Sequence, residues 1–288
     1  MYRIIENDFL KVKVKEQGAE LSAIILKKNN HDYLYEANPT YWNKQSPVLF
    51  PFIGALHDQE FDYNGKTYSM TKHGFARDYC FNVSEHSSDM IDLFQTNATI
   101  GLTDYPFEFE FHVRYELVED RLKVTYRIFS HGTEIYFTVG GHPAFKVPVT
   151  DDCCFEDYQI TIDNAKPIRQ YALAGAYIDL EHPIEDAVKS FPLNHQLFAN
   201  DALIYDTPGD TTVRISTAKN AHGVEVSYQN IPYLGIWTQP NGAPFICLEP
   251  WDGLPDSVNE SKKIEEKPTL TYLEPFSEYE ISYDIHCF

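Results

Sequence analysis

The sequence predicts an all-β protein, and three observations lead to that prediction. The 288 residues include 20 Tyr and 19 Phe, which favour strands over helices. Several stretches alternate apolar with polar side chains, the pattern of a strand that has one buried face. Residues 150–200, which are less regular, require no helix longer than about two or three turns. We therefore expect antiparallel strands connected by turns along most of the chain.

The N-terminal residues predict the beginning of a sheet. Residues 10–15 alternate apolar with charged side chains, and residues 21–26 are mostly apolar, so we expect two strands joined by a turn at Gly18. A polar turn follows, and residues 33–35 then predict a further short strand.

The next region combines an irregular apolar segment with a tight hairpin. Residues 47–54 are apolar but interrupted by prolines, which do not fit inside a central strand. We expect this segment to be a buried, irregular approach to a site. Asn64-Gly65 lies between aromatic and β-branched residues, which predicts a hairpin over residues 61–68.

The clearest alternation lies in the middle of the chain. Residues 107–117 place aromatic and aliphatic side chains on one face and charged ones on the other, and residues 121–128 repeat this pattern after a turn at Glu119-Asp120. We expect a long hairpin with one wet face. His112 belongs to the polar face, so we expect solvent around it.

The rest of the chain predicts further strands and no second domain. An apolar strand over residues 135–139 runs into Gly140-Gly141-His142-Pro143. Because the chain contains no linker, low-complexity tract or fixed repeat, residues 1–288 are expected to form a single domain. The remaining strand-like segments are 158–162, 202–205, 213–216, 224–228, 233–238, 245–249 and 279–285.

Charge and terminal sequence restrict the function classes. A net charge of −20 argues against nucleic-acid and anionic-membrane partners, since both need a basic surface. The N-terminus lacks a basic segment followed by an apolar core, so we expect a cytoplasmic protein. The five cysteines are an odd number without metal-site spacing, and we expect all of them to be reduced thiols.

Three residues form a candidate acid/base set. His142 follows a strand and two glycines, His73 lies before Gly74, and Glu249 ends an apolar run before a proline. Taken singly, each also fits a structural role, as a turn histidine, a loop histidine and an exposed acidic turn. A carboxylate at the rim of an apolar pocket is expected to have a raised pKa. Together, histidine and carboxylate can protonate one substrate oxygen while deprotonating another, as hemiacetal chemistry requires.

Two tryptophans add a possible binding surface to this set. Trp237 and Trp251 offer flat apolar faces of the kind on which a sugar ring stacks. An ordinary role in the core explains them equally well.

Three motifs resemble the aldose 1-epimerase (galactose mutarotase-like) family, most closely its bacterial LacX-like branch. They are Lys-His-Gly-Phe-Ala-Arg at 72–77, Gly-Gly-His-Pro-Ala-Phe at 140–145 and Leu-Glu-Pro-Trp at 248–251, in that order. The resemblance extends over nearly the whole chain. It implies an all-β fold, a large antiparallel β supersandwich with a carbohydrate-binding cleft on one concave face, and an isomerase that acts on an aldose without cofactor or metal.

The resemblance also implies roles for individual residues. Glu249 would be the general base that takes the proton of the anomeric hydroxyl, and His142 the general acid that protonates the ring oxygen. His73 would bind the region of the ring oxygen, and Asp201 would bind sugar hydroxyls. One departure is plain, because an arginine that the family carries before the hairpin is missing from residues 52–57.

This departure leaves several alternatives open. Arg77 is expected to take over from the missing arginine, and similar arginines serve a phosphate in hexose-6-phosphate 1-epimerases. A second alternative is a non-catalytic carbohydrate-binding or sensing domain on the same fold. A third is a cupin-like enzyme with two histidines and a glutamate as metal ligands, although the close His-x-His spacing is absent. The sequence favours neither a monomer nor a homodimer.

Overall fold

The computed structural model describes residues 1–100 and 103–288, and strands dominate them. In chain order the strands are β1 (Tyr2–Glu6), β2 (Leu10–Lys15), β3 (Leu21–Leu26), β4 (His31–Asp32), β5 (Val48–Leu49), β6 (Glu60–Tyr63), β7 (Lys66–Ser69), β8 (Asn82–His86), β9 (Met90–Thr96), β10 (Phe109–Val118), β11 (Arg121–Ser130), β12 (Ile135–Phe137) and β13 (Gly140–Gly141). They continue with β14 (Ala144–Lys146), β15 (Tyr158–Asn164), β16 (Arg169–Tyr171), β17 (Leu173–Ala174), β18 (Tyr177–Ile178), β19 (Ser190–Pro192), β20 (Leu203–Asp206), β21 (Thr211–Thr217), β22 (Val224–Tyr228), β23 (Tyr233–Trp237), β24 (Phe245–Trp251), β25 (Thr271–Leu273) and β26 (Glu278–Cys287).

Helical structure in these residues is limited to short segments. The α-helix α1 spans Asn97–Ile100, and 3₁₀ segments span His57–Gln59, Ala76–Asp78, Phe155–Asp157, His195–Phe198 and Ile264–Glu266. None of the helices that the structure describes has the length and apolarity needed to cross a membrane.

Two large antiparallel sheets form the body of the molecule. The first has nine strands in the order β19-β15-β21-β22-β26-β11-β10-β9-β8. The second has seven strands in the order β16-β20-β23-β24-β13-β5, with β14 also paired to β24. Strand pairs in both sheets are antiparallel. Smaller sheets, one of four strands (β1–β4) and three of two strands (β12-β25, β17-β18, β6-β7), flank them. The expected all-β supersandwich is confirmed.

The long hairpin shows how the sequence pattern produces the core. β10 and β11 pair in continuous register, with Phe111 opposite Ile128 and Tyr115 opposite Val124. These side chains are at most 1% exposed and belong to the same apolar cluster as residues of the seven-stranded sheet. The predicted alternation, the turn at Glu119-Asp120 and the long hairpin are therefore confirmed.

The expectation of solvent around His112 is wrong. The ring is 9% exposed and lies between Phe94 and Phe129 of the neighbouring strands. Its Nδ1 lies 2.5 Å from Oδ1 of Asp92, and its Nε2 lies 2.8 Å from Oε1 of Glu110. The outer face of a sheet can thus bury a histidine when aromatic and acidic side chains of adjacent strands surround it.

Other strand predictions are confirmed or corrected. Strands β2 and β3 and the Asn64-Gly65 hairpin lie where they are expected. Residues 33–35 are buried but form only one isolated bridge, from Leu34 to Phe145, so the predicted strand is wrong there.

The strand predicted over residues 135–139 changes partner partway along. β12 pairs with β25, whereas β13 pairs with β24 and β5. At the break, the Val139 N–H donates to Oδ1 of Asp252, and Oγ1 of Thr138 accepts from the Ile53 N–H. The carboxylate of Asp252 therefore takes the place of a backbone hydrogen-bond acceptor in the sheet, three residues before His142.

Candidate active site

The two faces of β24 lie in different environments. Ile246 and Leu248 point into the main apolar core, while Cys247, Glu249 and Trp251 lie on the opposite face. The neighbouring strand β23 places Gly235 opposite Glu249 and Trp237 opposite Cys247. This face of the seven-stranded sheet forms the floor of a cavity of about 490 Å³.

The two glycines before His142 allow close packing around the site. A Cβ on Gly141 would lie 2.3 Å from the hydroxyl oxygen of Tyr283, and a Cβ on Gly140 would lie 2.6 Å from Cδ1 of Trp251. Neither neighbour has space to retreat, because Tyr283 and Trp251 are both buried. The chain therefore passes directly over β24, and His142 emerges beside Glu249.

His142 and Glu249 face each other in the cavity. Nε2 of His142 lies 3.2 Å from Oε2 of Glu249, and the two side chains are 9% and 1% exposed. The orientation of the two groups does not satisfy hydrogen-bond geometry, so Oε2 of Glu249 and Nδ1 of His142 are buried without a partner. The pair is in contact and still has bonding capacity for a ligand.

Backbone contacts fix the orientation of His73. This residue and Gly74 both have positive φ, 69° and 70°, and the His73 N–H donates to the Gly54 carbonyl oxygen at 2.7 Å. The Gly54 N–H donates back to Nδ1 of His73 at 3.1 Å. Nδ1 is therefore an acceptor, which assigns the proton of the neutral ring to Nε2. A neutral histidine in this tautomer can donate one hydrogen bond to a ligand.

All seven residues predicted for the site line the same cavity. The set consists of His73, Arg77, His142, Asp201, Trp237, Glu249 and Trp251. Asp201 is at the rim, where its carboxylate lies 3.6 Å from Nζ of Lys72 and is 41% exposed. The structure brings the residues together, and the role of each stays a prediction.

The two tryptophans differ in accessibility. Trp251 is 4% exposed and packs against Gly140 and Gly235, with an indole N–H that has no hydrogen-bond partner. Trp237 is half-buried at the cavity wall and is the more accessible flat face for a ring.

Arg77 occupies a protected position beside the cavity. Its Nη2 donates to the Lys72 carbonyl oxygen, and its Nε is buried without a partner. Residues 52–57, where the family's arginine is missing, form a segment in which every residue but His57 is buried. Arg77 and Lys72 are accordingly the cations that line this cavity.

Burial shifts the pKa values of the pair in opposite directions. Burial raises the pKa of Glu249 well above 4.5, and the charge of Asp201 adds to the rise, while Lys72 opposes it. Burial lowers the pKa of His142 to about 3, with a further contribution from Arg77 and Lys72. The raised pKa that the sequence predicts for Glu249 is confirmed in direction. Burial therefore favours the uncharged form of both groups, in which Glu249 carries a proton and His142 is neutral.

Burial also lowers the pKa of His73. The pKa falls well below 6.5, and the neighbouring His142 contributes after burial. His73 is therefore a neutral donor at physiological pH.

Sequence reasoning missed Trp42 as part of this site. Its ring stacks on His142 with centroids 5.0 Å apart and a 29° interplanar angle, and it meets Trp237 edge to face at 5.4 Å. Trp42 lies in the irregular segment between β4 and β5, where no periodic pattern predicts which way a side chain points. The only available signal was a large aromatic residue in a polar loop.

Sequence reasoning also missed Cys247 as a neighbour of the pair. Its sulfur and the donor atoms of His142 and Glu249 all lie within 4.8 Å of one another, and all three residues are buried. The period of two along β24 could have indicated that Cys247 and Glu249 share a face.

Comparisons with known proteins agree with the fold and the arrangement of motifs. The aldose 1-epimerase family model matches residues 1–269. The plasmid and chromosomal LacX proteins of Lactococcus lactis subsp. lactis are each 31% identical over 294 residues, covering 98% of this chain and 97% of LacX.

Solved structures give the same result. A galactose mutarotase related enzyme from Lactobacillus acidophilus matches with a TM-score of 0.96 at 31% identity, covering 100% of this chain and 97% of that one. A galactose mutarotase-like protein from Lactobacillus casei matches with a TM-score of 0.89 at 29% identity, covering 100% of both chains. Given the family match over most of its length, the chain belongs to the aldose 1-epimerase family.

Proposed function

We propose that this protein is an isomerase that interconverts the α and β anomers of an aldohexose. The observation that carries the proposal is the contact of 3.2 Å between Nε2 of His142 and Oε2 of Glu249, two residues that line a cavity of about 490 Å³. A hemiacetal needs one proton removed and another delivered on neighbouring oxygens, and a paired base and acid supply both.

The proposed reaction moves one proton in each direction. In the sugar complex the proton of Glu249 first moves to His142. Glu249 as carboxylate then takes the proton of the C1 hydroxyl, and His142 as imidazolium gives its proton to the ring oxygen. The bond between C1 and the ring oxygen breaks, which produces an open-chain aldehyde. After rotation about C1–C2, the hydroxyl attacks the other face of the aldehyde while His142 takes its proton back and Glu249 returns its own. The pair ends as it began.

The electrostatics of the site favour the charge state that the pair has after ring opening. Ring opening leaves Glu249 protonated and His142 neutral, which is the charge state that burial of both groups prefers. The charged pair that starts the reaction is stabilised by its close contact and by Trp42, whose ring face lies over the imidazole.

The remaining residues are proposed to bind the sugar. His73 donates through Nε2 to the ring oxygen, and Trp237 provides a face for the ring. Asp201 accepts from sugar hydroxyls at the rim, and Arg77 takes the place of the missing arginine. Trp251 supports the floor beneath the pair and directs its free N–H toward the bound sugar or Glu249.

Polarimetry tests this proposal. Freshly dissolved α-D-glucose and α-D-galactose should reach equilibrium faster with the protein, and Glu249→Gln should abolish the acceleration because an amide cannot accept the proton. Saturable binding of either sugar without faster mutarotation would instead indicate a non-catalytic carbohydrate-binding domain. Acceleration that survives in Glu249→Gln would remove this residue from the proposed role.

A second candidate is a hexose 6-phosphate as substrate. Lys72 and Arg77 line the same cavity in a protein whose net charge is −20, so they form a local cationic site. However, Lys72 is already paired with Asp201, and Arg77 with a backbone carbonyl. The neutral aldose is therefore preferred. Replacing glucose with glucose 6-phosphate in the same assay distinguishes the two substrates.

A further inference from the structure

Cys247 lies beside the His142–Glu249 pair, and the proposed reaction assigns it no task. It lies two residues before Glu249 on the same face of β24 and is fully buried. Burial raises its pKa well above 9.0, and the charge of Glu249 adds to the effect, so the group is a protonated thiol at neutral pH. A buried thiol close to a histidine and a carboxylate is a set of donors that metal sites use.

The geometry of the three donors fits one small ion. The donor atoms of His142, Cys247 and Glu249 lie within 4.8 Å of one another. Tetrahedral coordination by zinc, with bond lengths of roughly 2.0–2.3 Å, separates such donors by about 3.3–3.6 Å. Nε2 of His142 and Oε2 of Glu249 are already 3.2 Å apart. The donor atoms, which are at most 4.8 Å apart, therefore have to approach by no more than about 1.5 Å, which small side-chain rotations can supply.

The surroundings leave these donors free to bind. Oε2 of Glu249 has no hydrogen-bond partner, and Cys247 is a free thiol. His142 and Glu249 both line the cavity, so an ion can reach these two donors from the cavity side.

We propose that His142, Cys247 and Glu249 form a site for a thiophilic divalent cation such as Zn²⁺, and that the ion inhibits the protein by occupying its acid/base pair. Zinc takes thiolate, imidazole and carboxylate ligands, whereas magnesium and calcium take oxygen ligands, so the thiol makes the site selective. The ion here is an inhibitor and not a cofactor. Metal binding stands on its own, and inhibition rests on the proposed function.

Binding requires loss of the thiol proton. Zinc coordinates the thiolate, so the proton of Cys247 passes to solvent as the Zn–S bond forms. Calorimetry in two buffers of different ionisation enthalpy should detect the released proton.

The test measures zinc binding to the purified protein by isothermal titration calorimetry after chelator treatment. Cys247→Ala and Cys247→Ser should each weaken zinc binding by at least about tenfold, since loss of even an outer-shell partner of a metal site typically costs 10- to 100-fold. Cys80→Ala is the matched control, because this thiol is exposed and bonds to Gln17, and it should leave the affinity unchanged. Thermal melts identify any variant that fails to fold, and the serine variant preserves the side-chain volume if alanine does not fold.

The outcomes separate the site from the function. The site is supported if the protein binds one zinc per chain, if both Cys247 variants lose this binding, and if Mg²⁺ does not affect it. Zinc affinity that is unchanged in both variants, or an absence of binding, overturns it. Mutarotation provides the second readout, in which zinc should slow the native protein and Cys80→Ala but not Cys247→Ala. If the protein binds zinc through Cys247 but has no epimerase activity, the site stands and the proposed function fails.

Discussion

Two histidine–carboxylate pairs occupy opposite sides of this molecule, and their environments shift the pKa values of their groups in opposite directions. One pair is His112 with Asp92 on the outer face of the nine-stranded sheet, and the other is His142 with Glu249 in the cavity. Both histidines are at most 9% exposed, so burial alone does not separate them. The difference lies in the number of hydrogen bonds that each pair makes.

The outer pair is fully bonded. Nδ1 and Nε2 of His112 contact Asp92 and Glu110, and Arg114 donates to the other oxygen of Asp92. Burial opposes the charges, yet these bonds outweigh it, so the pKa of His112 is raised and that of Asp92 is lowered. The result is an ion pair with no capacity left for a ligand.

The cavity pair has the same chemistry but lacks those partners. Nδ1 of His142 and Oε2 of Glu249 make no hydrogen bond, and burial moves both pKa values toward the neutral forms. The comparison teaches that a bonded pair stabilises the fold, whereas an unbonded pair facing a cavity can exchange its proton with a substrate.

The largest expected difference between the two pairs is in catalysis. His142→Gln should lower the rate of catalysed mutarotation by about 100-fold or more, because it removes the proposed general acid. His112→Gln is the matched control and should leave the rate unchanged, since its side chain lies on the outer sheet. Polarimetry at one sugar concentration compares them, and equal losses in both variants would contradict the distinction.

Replacement of the carboxylates should change stability in opposite directions. Asp92→Asn leaves His112 and Arg114 without their acceptor and should lower the free energy of unfolding by about 1–3 kcal/mol. Glu249→Gln removes a buried acid whose ionisation the fold opposes, and should raise that free energy by roughly 1 kcal/mol near pH 8. Urea unfolding measures both, and a destabilised Glu249→Gln would argue against the raised pKa.

The pH dependence of stability follows from the directions of these shifts. The pKa of His112 is raised above 6.5, so its stabilisation is complete below that value and is lost as pH rises through the folded pKa. The pKa of Asp92 is lowered from 3.8, so its stabilisation is present above 3.8 and is lost as pH falls. Asp92→Asn should therefore lower the free energy of unfolding most between about pH 3.8 and pH 6.5, and less near pH 9. Unfolding free energies at about pH 6 and pH 9 test this, and an equal cost at both would contradict it.

The smallest expected effect concerns the ring that stacks on His142. Trp42→Leu removes a face that stabilises the imidazolium by about 0.5–2 kcal/mol, so the rate should fall by roughly 2- to 30-fold. Trp42→Phe retains a ring and should recover most of the loss. The pH–rate profile should also shift, because the imidazolium is less favoured. Equal rates in both variants would show that stacking does not matter.

The sheets and the set of site residues could largely be predicted from the sequence. The alternation over residues 107–128 reports a buried face directly, and Asn64-Gly65 specifies a hairpin through its backbone preferences. His73, His142 and Glu249 stood out because glycines or a proline flank each of them. The expectation that residues 1–288 form one domain stays a prediction.

Other features depend on contacts between segments that are distant in sequence. Trp42 reaches His142 from an irregular loop, and no local pattern encodes that contact. His112 is buried by Phe94 and Phe129 of neighbouring strands, which the pattern of its own strand does not include. The partner change at residues 138–139 likewise depends on Asp252, more than a hundred residues away. Local periodicity predicts faces, and packing decides what covers them.

The charge states of the two histidines test the central claim most directly. Nitrogen-15 NMR of histidine-labelled protein near pH 7 resolves neutral imidazole from imidazolium, and the variants His112→Gln and His142→Gln assign the two signals. The account predicts that His112 keeps its proton to a higher pH than an ordinary histidine and that His142 is neutral in the sugar-free protein. An imidazolium at His142 together with a neutral His112 would contradict it.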